Sequence, residues 1–131
     1  MTQKVALDTN AYRALDDGNP RLADHIKAIA QIGLPIPVLG ELYHGVFLGN
    51  KYEKNLSNLN RFLLLPRLEV LHIDEPTAKL FGEIATELRR VGRPMQQNDI
   101  WIAALCKQHG YRLATNDVGF ENVLGLEIVT F

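Results

Sequence analysis

Short apolar runs alternate along this chain with segments whose apolar residues recur every three or four positions. The run from Lys4 to Leu7 ends at Asp8 and predicts a strand, and the stretch after it predicts a short helical turn broken between Gly18 and Pro20. Leu22, Ile26, Ile29 and Ala30 share one helical face, with Pro20 in the first turn and Gly33 in the stop position. "LPIPVLGEL" then predicts a second strand running into a helix. Because Pro37 cannot donate to a ladder, either the paired part is mostly Val38-Leu39 or the Pro37 position faces away from its neighbour. A helix from Glu41 to Leu48 is broken at Gly49-Asn50, and the next carries Leu56, Leu59, Phe62 and Leu63 on one face until Pro66. "RLEVLHI" predicts a third strand. A long helix follows, with Asp74 as N-cap, Pro76 near its first position and Gly92 as its stop. Asn98 is expected to cap "DIWIAALCKQHG", Gly110 to end it, and "YRLATN" and "LGLEIVTF" to form the fourth and fifth strands.

Strands separated by helical segments of this length need crossover connections, and crossovers imply a mostly parallel sheet covered on both faces. The fold class is α/β, with a central five-stranded sheet. No repeat or low-complexity linker divides the 131 residues, and 47% of them are hydrophobic, enough for one cored domain over residues 1–131. The conspicuous leucine-rich run, Phe62 to Leu65, cannot span a membrane, and the first ten residues lack a basic and apolar leader, so a cytoplasmic protein is expected. The single cysteine, Cys106, excludes an internal disulfide and a cysteine zinc cage, and it reads as a small buried hydrophobe.

A formal net charge of −1 means that the molecule as a whole does not attract polyanions, so any nucleic-acid surface must be local. Arg89, Arg90 and Arg93 form the tight basic grouping, which suits either a solvated helix end or steering of phosphates. The acids are more informative. Asp8 follows the first strand, Glu41 the second and Asp117 the fourth, so three carboxylates leave the same edge of a parallel sheet, where ligands of such folds bind. Asp99 opens the helix leading into the fourth strand, and a right-handed crossover brings it to that edge as well. Each acid alone reads as readily as a helix cap. Four gathered carboxylates, however, repel one another unless a cation or proton lies between them. Oxygen-only ligation selects Mg²⁺ or Mn²⁺, and His25, His44, His72 and His109 have no spacing that suggests zinc; each reads as a surface or helix-end residue. Thr9, Asn10, Thr115 and Asn116 sit beside the acids, either as orienting groups or as turn residues.

These residues resemble the PIN-domain ribonucleases, specifically the VapC-type toxins of bacterial toxin–antitoxin systems, over nearly the whole chain. "LDTNAYRAL" resembles the family's opening strand and Asp, and "PIPVLGELYHGV" its second acidic block. "IDEPTAKLFGEIATELRRVGRPMQQNDIWIAA" resembles its long helix and third acid, and "LATNDVGFENVLGLEI" its last acidic block and closing strand. The resemblance implies a PIN-like α/β/α sandwich in which Asp8, Glu41, Asp99 and Asp117 bind Mg²⁺ or Mn²⁺ and a metal-activated water cuts RNA, transfer RNA being one candidate target. It also implies that Thr115 lies in that pocket, that the chain forms a homodimer, and that a cognate VapB-type antitoxin blocks the site with its C-terminal segment. One departure is Gly119, where many relatives carry a further acid, which leaves one or two metals open.

Two other readings compete. An aspartyl phosphatase or receiver-like domain needs a second acid beside Asp8 and a lysine after a later strand, and "DTN" and "TND" supply neither. A catalytically weak PIN-like module would hold RNA or a partner protein without cutting. Tyr43, Phe47 and Leu48 with Phe62 and Leu63 form either an apolar groove for a partner's amphipathic segment or, more simply, core, and Trp101 reads as packing rather than as a base-stacking surface.

Overall fold

Val5, Ala6 and Leu7 are fully buried without alternation, the pattern of an interior strand covered on both faces. In the computed structural model, which describes residues 3–131, this strand, β1 (Lys4–Leu7), is the centre of a five-stranded sheet. On one side it pairs with β2 (Gln31–Pro35), which pairs with β3 (Leu68–Leu71); on the other it pairs with β4 (Arg112–Ala114), which pairs with β5 (Ile128–Val129). Every pairing is parallel, in the order β3-β2-β1-β4-β5. Helices α1 (Thr9–Asp16) and α2 (Pro20–Lys27) link β1 to β2, and α3 (Ile36–Leu48) and α4 (Tyr52–Leu63) link β2 to β3. Helices α5 (Glu75–Arg90) and α6 (Gln97–His109) carry the chain back across the sheet to β4. With right-handed crossovers, that reversal puts the last helix pair on the face opposite the first four, which is the expected α/β/α sandwich.

The largest departure from expectation lies in "QIGLPIPVL". β2 ends at Pro35, so Val38 and Leu39 are helical rather than paired, and α3 begins at Ile36, five residues before the expected start. Pro37 occupies the first turn of α3, where a missing N–H leaves no bond unmade. Gly33 is a strand residue and not a helix stop: α2 ends at Lys27, and a Cβ on Gly33 would lie 2.8 Å from the Tyr111 ring and 3.1 Å from Leu71. Ile29 is buried beyond the helix end, whereas Ala30 is exposed. The cap of α6 is Gln96 and not Asn98. β4 and β5 are shorter than expected, and a 3₁₀ turn, Val118–Asn122, which the apolar pattern does not signal, lies between them.

Other elements match their expected signals. Asp74 caps α5 in a reciprocal capping box with Thr77, and Gly110 closes α6 at a φ of 72°. Helix α6 is the central one: Ile100 and the whole stretch from Ile102 to Cys106 are buried, the last as expected for its lone thiol. No helix among the described residues is long and apolar enough to cross a membrane.

Candidate active site

The strand order reverses between β1 and β4, and the crevice beyond their carboxyl ends is where an open parallel sheet binds ligands. A hollow of about 350 Å³ opens there, and Asp8, Glu41, Asp99 and Asp117 all line it. Each carboxylate arrives by a different local route. Asp8 ends β1 and caps α1, accepting a bond from the Ala11 amide at 2.7 Å. Glu41 lies in the second turn of α3, six residues past the end of β2 rather than two. Asp99 stands in the first turn of α6, and Asp117 caps the 3₁₀ turn by accepting from the Gly119 amide at 2.8 Å. The capping reading is therefore correct for Asp8 and Asp117, and the same side chains wall the hollow.

Both oxygens of Glu41 are held. The Thr9 hydroxyl donates to one at 2.9 Å and the Asn98 side-chain amide donates to the other. Asn98, expected as a cap, instead orients this carboxylate from across the hollow. Thr115 is buried, and its hydroxyl accepts from the Asp117 amide at 3.0 Å. Asn10 lines the hollow. Asn116 is turned elsewhere and exchanges two hydrogen bonds with the backbone of Phe131. Arg89, Arg90 and Arg93 are exposed around the end of α5 and do not line the hollow; Arg90 pairs with Glu87 at 3.1 Å. The lining residues that escape a reading based on acids alone include Arg13, His44, Ile102 and Phe120.

The electrostatics follow from this crowding. Burial raises the pKa of Asp8, and the charges of Asp117 and Glu41 raise it further, against the opposing effect of the Thr115 hydroxyl and the Ala11 amide. Asp99 is raised as well, first by burial and then by Asp117, Glu41 and Asp8. Among the described residues no hydrogen bond compensates the Asp99 carboxylate.

This donor set fits a hard divalent cation, being all oxygen and anionic, with free lone pairs on Asp8, Asp99 and Asp117. Among the described residues, no three such side chains already stand as a coordination cluster.

The other candidates resolve differently. Trp101 packs at 4.2 Å between ring centroids on Phe81, as expected of a packing residue. Phe62 meets Tyr12 edge to face at 5.0 Å, whereas Tyr43, Phe47 and Tyr52 form an outward stack with Phe47 63% exposed. Of the histidines, His25 and His109 are only partly exposed, each with a buried, unpartnered Nε2.

The sequence matches the family model described as "PIN domain" over residues 5–126, a span containing all four acids. The chain belongs to the PIN-domain family. This PIN domain is similar to Ribonuclease VapC2 of Rickettsia felis, 36% identical over 116 residues that cover 86% of this chain and 85% of that protein. It is also similar to Ribonuclease VapC4 of Mycobacterium tuberculosis, 31% identical over 98 residues, 75% of each. Among solved structures, it resembles VapBC2 from Rickettsia felis bound to a DNA fragment from their promoter, with a TM-score of 0.87, 28% identity and 98% of each chain covered. VapBC-1 from nontypeable Haemophilus influenzae gives 0.84, 26% and the same coverage. The PIN domain described here is thus of the VapC kind.

Proposed function

We propose that this protein is a divalent-metal-dependent endoribonuclease, the toxin of a type II toxin–antitoxin pair. One observation carries the reading: a hollow at the reversal of the strand order walled by four carboxylates, one of them, Asp99, half-buried and without a hydrogen-bond donor among the described residues. Relatives named as ribonucleases support the choice of RNA. A bound Mg²⁺ or Mn²⁺ supplies neutralising charge and Lewis acidity to a phosphodiester. Asp8, Asp99 and Asp117 would hold it, with Glu41 beside them. The chain's own side chains do the rest. Thr9 and Asn98 fix Glu41, Thr115 fixes the turn bearing Asp117, and Ile102 and Phe120 give the hollow an apolar floor. Without a cation, burial and the neighbouring carboxylates make Asp8 and Asp99 take protons more readily than ordinary aspartates, so proton and metal would compete for the same oxygens.

The named complexes among the structural relatives support a VapB-type antitoxin as partner, and the same reading takes the toxin to be a homodimer in the cytoplasm. Arg89, Arg90 and Arg93 would steer RNA or meet the antitoxin. The test is cleavage of a pool of cellular RNAs by antitoxin-free protein with Mg²⁺, with Mn²⁺ and with chelator, beside Asp99→Asn. Cleavage should need the metal and fall by at least about a hundredfold in the variant. Well-folded protein that binds RNA but cuts nothing under any condition would favour the binding-module reading.

A further inference from the structure

Thr9 and Arg13 lie one turn apart on α1, and Glu41 and Gly45 one turn apart on α3, so the two pairs occupy matching faces of the two helices. The first rung between them is the bond from Thr9 to Glu41. At the second rung, the Arg13 guanidinium lies against Gly45, where a Cβ would stand 3.2 Å from Nη2. A glycine inside a helix costs about 1 kcal/mol relative to alanine, and here the absent side chain lets the guanidinium lie a few tenths of an ångström closer than a methyl group would comfortably allow.

Arg13 borders the carboxylate hollow yet is bound by none of its acids. The ion pairs among the described residues are Lys27 with Asp24 and Arg90 with Glu87; neither Asp16 nor Asp17, three and four residues on from Arg13, captures it. Its donors are therefore free at the mouth of an anionic site. A planar guanidinium in that state suits the non-bridging oxygens of a phosphodiester, which it can take two at a time. His44, also on the wall of the hollow, adds a further polar group on the same side.

We propose that Arg13 is a substrate-binding residue that grips an RNA phosphate beside the acids, and that Gly45 is the gap that lets it do so. This rests on the nuclease reading and adds to it the group that holds the substrate's charge where four carboxylates alone would repel it. The alternative role for Arg13 is a counter-charge that merely relieves the acids.

The experiment compares wild type with Arg13→Gln, Arg13→Lys and Gly45→Ala in steady-state cleavage of a short RNA, in binding of that RNA under Ca²⁺ across a salt series, and in titration with Mn²⁺ alone. Arg13→Gln should raise KM and weaken RNA binding by roughly ten- to a hundredfold, reduce the salt slope by about one, and leave Mn²⁺ affinity within about twofold. Arg13→Lys should recover part of the loss, and Gly45→Ala should lose affinity in the same direction. RNA binding unchanged in folded Arg13→Gln, or Mn²⁺ affinity and melting temperature changed while RNA affinity is not, overturns the proposal and leaves the nuclease reading intact. Wild-type protein that neither binds nor cuts RNA overturns both.

Discussion

Asp99 combines two conditions that oppose each other: it sits in the first turn of α6, where a carboxylate is favoured, and among three other carboxylates, where it is not. Its pKa is raised, first by burial and then by the charges of Asp117, Glu41 and Asp8, so the favourable helix position does not prevail. A folded-state value above the ordinary 3.8 means that the folded chain holds the proton more tightly than the unfolded one, so stability rises as pH falls through the window between the two values. Above that window the ionised group carries its full cost. Asp99→Asn should therefore raise the melting temperature of metal-free protein at neutral pH by roughly 2–4 °C, a figure already discounted for partial exposure, while abolishing cleavage. A thermal melt of chelated protein checks this, and a lower melting temperature in the variant would show that Asp99 is favourably placed after all. The position of Asp99 was legible in the sequence because one carboxylate precedes an apolar helix. Its lack of a donor was not, because Asn98, the adjacent residue, is drawn instead to Glu41, 57 positions away.

Between elements, the least legible segment was the passage from β2 into α3. Both proline and glycine punctuate it, and each has two meanings: Pro37 reads as an awkward strand residue or a helix first-turn residue, and Gly33 as a helix stop or a close approach. Val38, Leu42 and Val46, all buried and four apart, carry the helical period that decides for the helix. Nothing local decides for Gly33, because the Tyr111 ring that fills its Cβ position comes from 78 residues along the chain. Gly33→Ala should lose about 1–3 kcal/mol of stability in urea unfolding, since the ring or the Leu71 methyl must shift in a close-packed layer. In a Tyr111→Leu background the same change should cost less, because the two sites share one space. Equal costs in both backgrounds would mean that β2 itself, and not the ring, resists the side chain. The strands flanking the site were legible to within a few residues, since β1 and β4 are apolar runs that end beside their acids.

At the scale of the molecule, the order of strands and helices fixes where the acids meet. Two crossovers lead outward from β1 to β3, one returns to β4, and the reversal leaves a crevice to which β1 and β4 each deliver an aspartate. That much follows from element order, whereas the docking of α1 on α3 that sets Arg13 against Gly45 depends on helix packing that no period in the sequence reports. A fold that gathers four carboxylates at one edge stores repulsion there, and the net charge of −1 shows that the rest of the surface has little positive excess to oppose it. Bound cation should therefore appear as global stability. Mg²⁺ or Mn²⁺ should raise the melting temperature progressively with the logarithm of its concentration above Kd, reaching about 2.7 kcal/mol of added stability at a hundred times Kd. Monovalent salt also screens the acids, so the control is KCl at matched ionic strength, which should give a smaller and featureless rise. In Asp99→Asn the divalent increment should shrink even though the metal-free protein melts higher, because the same charge that costs stability without the ion binds it when present. Divalent and monovalent curves that coincide in the wild type would mean that the hollow holds no specific ion, and the carboxylates would then act on RNA or a partner only through their hydrogen bonds.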